Sequence, residues 1–342
     1  CQKQKQKFSS SAVYPGCGYV EVMDALVEQV MEPQSVQPKS VNIEAFAWGY
    51  NGEDKLQGMS EMLQKMGITV NAYLPAADLQ TIKRAPRAAL NIVRRKKWAL
   101  AMEQRFGTPF LHVADMQEWH GIEGISDLYR QIGKMLGCED AAERVLQAEY
   151  ERVAARYQEL RTEFAKYKFC LIAHGIAYLP DALRVYQHDY GLPISKICII
   201  MNPSYQAETG LDDAMMQRFK DRIELAKKEY GCDAEILLEP TEEALREAAQ
   251  SCDFVICNGH PRYASLNVPV LYNLFDRSVW SYQGFVDIME EVWQMLQQPQ
   301  STGSSLLLSK LTYDPVFYPM RETDKDSKAA RELYSRVWRQ RK

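Results

Sequence analysis

No apolar run in this sequence approaches the roughly 18 to 20 residues that a membrane-spanning helix requires, and no charged-then-apolar signal segment opens it. Neither sign of charge prevails. The 41 basic and 45 acidic residues leave a formal net charge of -4, so no global field draws nucleic acid or an anionic membrane, and any basic site has to be local. Cysteine is sparse: eight occur, at positions 1, 17, 138, 170, 198, 232, 252 and 257, with no C-x-x-C pair and no dense scaffold spacing. That excludes a disulfide framework and fits a reducing compartment.

Several chemistries lack their signature. Without a G-x-x-x-x-G-K-[ST] loop the chain is not an ATPase by itself, and no strand-like run is followed by G-x-G-x-x-G, which argues against ordinary dinucleotide binding. No nucleotide site is therefore expected in this chain. Neither H-E-x-x-H nor G-x-S-x-G occurs, so hydrolase readings have no anchor. Cys252 and Cys257 are five apart, but a helix end and a strand interior would not converge on one metal.

What is present is a repeated alternation of short β-branched runs with amphipathic stretches, in 342 residues that are 46% hydrophobic and 25% charged. This pattern predicts an α/β fold with two Rossmann-like parallel-sheet lobes joined by a long helix, after a remnant N-terminal segment. The first series of strands is VNIEAFAW from Val41, ITVNAYL from Ile68, LNIVRR from Leu90 and FLHVA from Phe110. The second is FCLIA from Phe169, ISKICIIM from Ile194, AEILLE from Ala234, FVICN from Phe254 and PVLYNLF from Pro269. Leu56, Met59, Leu63 and Met66 mark a core-facing helix stripe, and Leu146, Tyr150, Val153, Tyr157, Leu160 and Phe164 mark one long helix. The expected boundaries are 1–38 for the N-terminal segment, 39–138 and 167–298 for the lobes, 139–166 for the connecting helix and 299–342 for a polar tail. Tyr14 to Met31 reads as a glycine-containing turn leading into a helix.

In doubly wound sheets the ligand crevice lies outside the carboxyl ends of the strands. Strand ends therefore nominate Tyr50, Asn51, Gly52, Arg94 to Lys97 and Asp115 in the first lobe. In the second they nominate His174, Gly175, Asn202, Asn258, Gly259, His260 and Asn273. Arg94, Arg95, Lys96 and Lys97 emerge together, a place for a carboxylate, phosphate or anionic cluster; the alternative is a solvated helix start with Trp98 and Leu100 buried. His174 and His260 follow strands where a ring could reach a ligand, or else bond to backbone. His112 and His120 are weaker candidates.

The chain opens on Cys1 and QKQKQK, so the expectation is a piece or processed form of a longer, cytoplasmic protein; the alternative is a lipoprotein anchored through Cys1.

Particular residues carry a family likeness. VNIEAFAWGYNGEDKLQGMSEMLQKMGITVNAYLPAADLQTIKRAPRAALNIVRRKKW, with its APRAALNIV stretch at Ala85 to Val93, resembles the second domain of nitrogenase component 1 subunits. FGTPFLHV, GIEGISDLYRQIGKMLG and CDFVICNGHPRYASLNVPVLYNLFDRSVWSYQGFVDIMEEVW are similar to later elements of the same family, in the same order, over roughly Val13 to Leu296. The resemblance implies an oxidoreductase subunit that pairs with a homologous component 1 subunit, shares an iron–sulfur or related metallocluster with it, and receives electrons from an ATP-hydrolysing iron-protein reductase. In the catalytic nitrogenase subunit a cysteine after the LNxV strand binds the cofactor. Arg94 and Arg95 stand there in this sequence, so the likeness is to the non-catalytic β-type partner. The resemblance also puts Cys17 near the inter-subunit cluster as a metal ligand; the strand-end residues Arg94, Arg95, Lys96, His174, Asn258 and His260 are those expected to line a crevice for a cofactor or substrate. A cofactor-assembly scaffold without turnover and a two-lobed small-molecule receptor remain the alternatives.

Overall fold

The computed structural model describes residues 15–44, 52–113, 119–176, 179–201, 212–257, 263, 266, 268–272 and 280–297. The chain divides into two compact units, one comprising Cys1–Val153 with Ser278–Phe285, the other Ala154–Arg277 with Val286–Lys342.

In the first unit, β1 (Gln37–Glu44), β2 (Thr69–Leu74), β3 (Ala88–Val93) and β4 (Phe110–His112) form a parallel sheet in the order β2-β1-β3-β4. Around it run α1 (Pro15–Gln29), α2 (Gly52–Lys65), α3 (Leu79–Lys83), α4 (Lys96–Phe106) and α5 (Gly121–Leu136). The expected stripe is core: Leu56, Met59 and Leu63 on α2 and Met66 in the turn that follows it are all buried. On one side of the sheet Met23, Val27 and Met31 from α1 and the following turn meet Leu74, Val93, Trp98, Ala99 and Met102. Pro15-Gly16-Cys17-Gly18 is not the turn expected from its glycines but the opening of α1, where proline at the first helical position loses no hydrogen bond.

α6 (Glu139–Phe164) is the long helix, starting seven residues before the first marked position; its Leu146, Val153, Tyr157, Leu160 and Phe164 are buried. Residues through Val153 belong to the first unit and those from Ala154 to the second. The second unit holds β5 (Phe169–His174), β6 (Ile194–Ile200), β7 (Glu235–Leu238), β8 (Phe254–Cys257) and β9 (Val270–Tyr272) in the order β7-β6-β5-β8-β9, again all parallel. Between β5 and β6 the chain makes α7 (Leu179–Leu183), which widens into a π-helical run over Arg184–Tyr190. A buried Arg184–Asp189 pair at 3.1 Å lies within that run. α8 (Asp213–Glu229), α9 (Glu242–Gln250) and α10 (Tyr282–Gln297) complete the described elements.

All nine expected strands exist, with shifted ends: β1 starts at Gln37, four residues before Val41, and β3 at Ala88, two before Leu90. LNIVRR ends as a strand at Val93, because Arg94 and Arg95 turn into α4. Expected features in the 299–342 tail lie outside the described residues. No described helix is long and apolar enough to cross a membrane.

Candidate functional site

Strand order locates the crevices. In the first sheet the connections run one way from β1 to β2 and the other way to β3 and β4, so the reversal falls between β1 and β3; in the second it falls between β5 and β8. Loops diverge at such a reversal and leave an opening at the carboxyl ends of the two strands. Those ends are Glu44 and Val93-Arg94 in the first unit, and His174 and Cys257 in the second.

At the first reversal the central group is not among the candidates that the sequence nominates. Glu44, the last residue of β1, is fully buried, and its Oε2 accepts the backbone N–H of Arg94 at 2.6 Å and of Arg95 at 3.0 Å. Arg95 is the N-cap of α4 and makes no side-chain cap bond, so the Glu44 carboxylate does what a capping side chain would do, satisfying N–H groups at the positive end of the helix dipole. A helix that opens on Arg-Arg-Lys-Lys puts like charge on that positive end, and the carboxylate offsets it.

The four cations do not act as one group. Arg94 and Arg95 are half-buried on the turn and Lys96 is exposed at the first position of α4. Lys97 turns to α1, with Nζ 2.5 Å from Asp24 and 3.3 Å from Glu21, and the bond to Asp24, then that to Glu21, raises its pKa. Trp98 is buried as expected, but Leu100 is 43% exposed: a helix starting at Lys96 turns Trp98, Ala99 and Met102 inward and Leu100 away. His112, at the end of β4, joins the turn: its Nε2–H donates to the Arg94 carbonyl at 3.2 Å. Burial first, then the Lys96 charge, lower its pKa, and the bond to Arg94 acts against them. His120 instead caps α5, buried and edge-on to Phe285 at 5.7 Å.

Beneath the rim, a line of amides, buried at Asn42 and Asn91 and half-buried at Asn71, crosses three strands. Asn71 Nδ2 donates to Asn42 Oδ1 at 2.8 Å, and Asn42 Nδ2 donates to Asn91 Oδ1 at 2.8 Å and to the Ala85 carbonyl at 2.9 Å. Asn42 and Glu44 are two residues apart and share a face of β1, so this line fixes the register on which Glu44 meets Arg94.

At the second reversal, His174 closes β5 opposite Ile200 of β6, and Gly175 follows at φ 110°, donating its N–H to the Ile200 carbonyl at 3.0 Å. The His174 side chain lies outside the described residues, as do Asn258 and His260, the next residues after β8, and Tyr50, Asn51, Asp115, Asn202 and Asn273. Cys17 is on the first turn of α1, its side chain likewise outside the description. The rim in the second unit also carries Glu239, in the left-handed region at φ 49°, whose Oε1 accepts the Met201 N–H at 2.5 Å.

Among the described residues no group of three or more His, Cys, Asp or Glu side chains is placed to hold a metal ion. The described side chains by themselves thus form no site for a metallocluster. The rim of the first unit can orient an anionic or electron-rich group against the Arg95 and Lys96 side chains, with His112 as a nearby group whose charge depends on pH.

Two all-parallel sheets, each with a reversal in its strand order, define a protein of the doubly wound, Rossmann-like class. More particularly, the chain belongs to the nitrogenase component 1 type oxidoreductase family, whose sequence model matches residues 16–297. It is 32% identical to the B subunit of the light-independent protochlorophyllide reductase of Zygnema circumcarinatum over 106 residues, 29% of this chain and 20% of that protein. The corresponding subunit of Synechococcus sp. is 30% identical over 115 residues, 32% of this chain and 22% of that protein. A solved structure described as nitrogenase Cp1 at pH 6.5 superposes with a TM-score of 0.55 at 14% identity, covering 84% of this chain and 64% of that one. The matched segments thus span about a fifth of the curated relatives and under two thirds of the structural one.

Proposed function

We propose that this chain is a subunit of a nitrogenase-like component 1 oxidoreductase, pairs with a homologous subunit, and accepts electrons delivered by an ATP-dependent iron protein. The family match carries the reading, because it runs through both parallel sheets. The curated relatives, each the B subunit of its reductase, favour the β-type partner over the one that binds the active-site cofactor. So does the turn after β3, where Glu44 and the Arg94-Arg95 backbone occupy the place at which the resemblance puts a cofactor-binding cysteine.

In this reading Arg94, Arg95 and Lys96 line the first crevice and His174, Asn258 and His260 the second. An iron–sulfur or related cluster is shared with the sister subunit, with Cys17 as the ligand from this chain. The protein works in the cytoplasm. The test is purification of the native complex from its source, followed by assay of iron, acid-labile sulfide and visible absorption and by ATP-dependent reduction with the iron protein. A brown, iron-containing complex with a sister subunit is expected. Colourless, iron-free protein with no sister would overturn the proposal, and iron that is passed to another protein without turnover would replace it with a role in cofactor assembly.

A further inference from the structure

The helix after β5 carries a feature that the proposed electron-transfer role leaves unused. α7 keeps α-helical turns only over Leu179–Leu183, and the seven residues Arg184–Tyr190 run on as a π-helix. That is long for this register, because π-turns occur mostly singly inside α-helices and cluster at functional sites. Some specific contact has to hold it.

Arg184 and Asp189 supply the hold. The Arg184 Nη1 donates to Asp189 Oδ2 at 3.1 Å, with the arginine 9% and the aspartate 1% exposed. The two residues are five apart. In an α-helix, at about 100° per residue, they would point about 140° apart around the axis. In a π-helix, whose hydrogen bonds join residues five apart, they stand nearly over one another. The ion pair therefore suits the π register and not the α register. The half-exposed His188 also touches the aspartate, its Nδ1 3.3 Å from Asp189 Oδ1, but as the adjacent residue it does not discriminate between registers.

The far end of the run is fixed. Tyr157 on α6 donates its hydroxyl to the Asp189 carbonyl at 2.7 Å, and Gln187 Oε1 accepts the Ile194 N–H of β6 at 2.8 Å. Gly191 lies so close to α6 that a Cβ would come within 3.0 Å of Arg161 Nε. At the near end the Leu179 N–H donates to the Ile176 carbonyl at the longer distance of 3.3 Å, and Gly175 at the second crevice stands just before. A π-helix packs more residues into each turn than an α-helix does, so a change to the α register lengthens the run. With the far end held, the displacement falls on Ile176 and Gly175.

We propose that the Arg184–Asp189 pair is a latch on a helix with two registers, and that its release moves the rim of the second crevice at the carboxyl end of β5. With the pair made, the run is π-helical and the rim stands as described. With it broken, the run tightens into an α-helix and displaces Gly175. A group that seats against this rim in one register only would shift the balance between the two.

The experiment is native-state hydrogen exchange of the intact wild-type protein in low urea, resolved to single amides. Four amides report: Gly191 and Leu192, both bonded to the Tyr186 carbonyl, Leu179, bonded to Ile176, and Gly175, bonded to the Ile200 carbonyl. All four should exchange through one shared opening, with a single urea dependence smaller than that of the β5 amides. D189N leaves the guanidinium buried without its charge partner and should lower the protection of all four by roughly 100-fold or more relative to β5. Gly175 and Leu179 opening with a different urea dependence from Gly191 and Leu192, or all four exchanging only by global unfolding, would overturn the proposal. So would a loss in D189N confined to Gly191 and Leu192. The wild-type exchange alone decides, so a D189N chain that fails to fold leaves the test intact.

Discussion

Glu44 shows what residue-level reading can and cannot reach. In VNIE the polar residues alternate with apolar ones, which in a strand ordinarily marks a solvated face. Yet Asn42 and Glu44 are at 0% exposure because both faces of this parallel sheet are covered. The positive run at Arg94 was legible, and so was its need for an anion. That the anion comes from a strand fifty residues earlier was not, since no spacing rule links the end of β1 to the start of α4. Two charge-assisted bonds to backbone N–H groups make this contact costly to lose. E44A should destabilise the protein by about 2 to 4 kcal/mol and E44Q by about 1 to 3 kcal/mol, read as a lower urea midpoint with faster hydrogen exchange at the Arg94 and Arg95 amides. An E44Q protein with both unchanged would remove Glu44 from this role. His112 supplies a pH dependence at the same turn. Its folded-state pKa is lowered from 6.5, by burial first and Lys96 second, so the unfolded chain binds the proton more readily. The stability tied to neutral His112 is present above the unfolded value and is lost as pH falls through the lower, folded one. The His112 ring should titrate below 6.5 by NMR, and H112Q should flatten the fall in stability on the acid side; a midpoint at or above 6.5 would contradict the geometry.

Elements were legible where periodicity was long and the two faces differed. Leu56, Met59, Leu63 and Met66 announce α2 because threes and fours repeat, and all four are buried. Truncating Met59 or Leu63 to alanine should cost about 2 to 5 kcal/mol in chemical denaturation. Strand ends were less clear, because an apolar run continues past the last paired residue into the turn. Close helix packing left no mark in the pattern at all. Gly133 on α5 reads as an ordinary small residue, but a Cβ there would lie 2.9 Å from the Ala142 Cβ and 3.4 Å from the Glu139 Cα on α6. Backbone on one side cannot move as a flexible side chain would, so G133A should lower stability by about 1 to 3 kcal/mol, despite alanine's higher helix propensity. A more stable G133A protein would show that α5 and α6 can separate at this point. The neighbouring thiols at Cys170 and Cys198, with sulfurs 4.0 Å apart, were invisible for a related reason: parallel pairing of β5 and β6 brings together residues 28 apart, and C-x-x-C logic searches only nearby ones.

For the whole molecule, topology does more than motif. The two reversals in strand order put Glu44 with Arg94 at one crevice and His174 with the end of β8 at another, and strand ends could be named from sequence because the crevice rule needs only the order of elements. The division of labour among the four cations needed coordinates. Arg95 and Lys96 stand at the rim, whereas Lys97 is committed to Asp24 and Glu21 on α1. In the proposed reductase complex this difference would be measurable. If the first crevice orients an anionic or electron-rich group, R95Q removes a charged hydrogen-bond donor worth about 1.5 to 3 kcal/mol, a roughly 10- to 100-fold loss in kcat/KM for the assembled, iron-protein-driven reaction. K97Q removes a surface pair of about 1 kcal/mol or less and should leave turnover unchanged. A general loss of positive charge would instead slow docking of any acidic partner, so R95Q and K97Q would fall together and recover together as salt is varied. Equal losses would therefore assign the basic turn to partner attraction, and a loss confined to R95Q assigns it to the crevice.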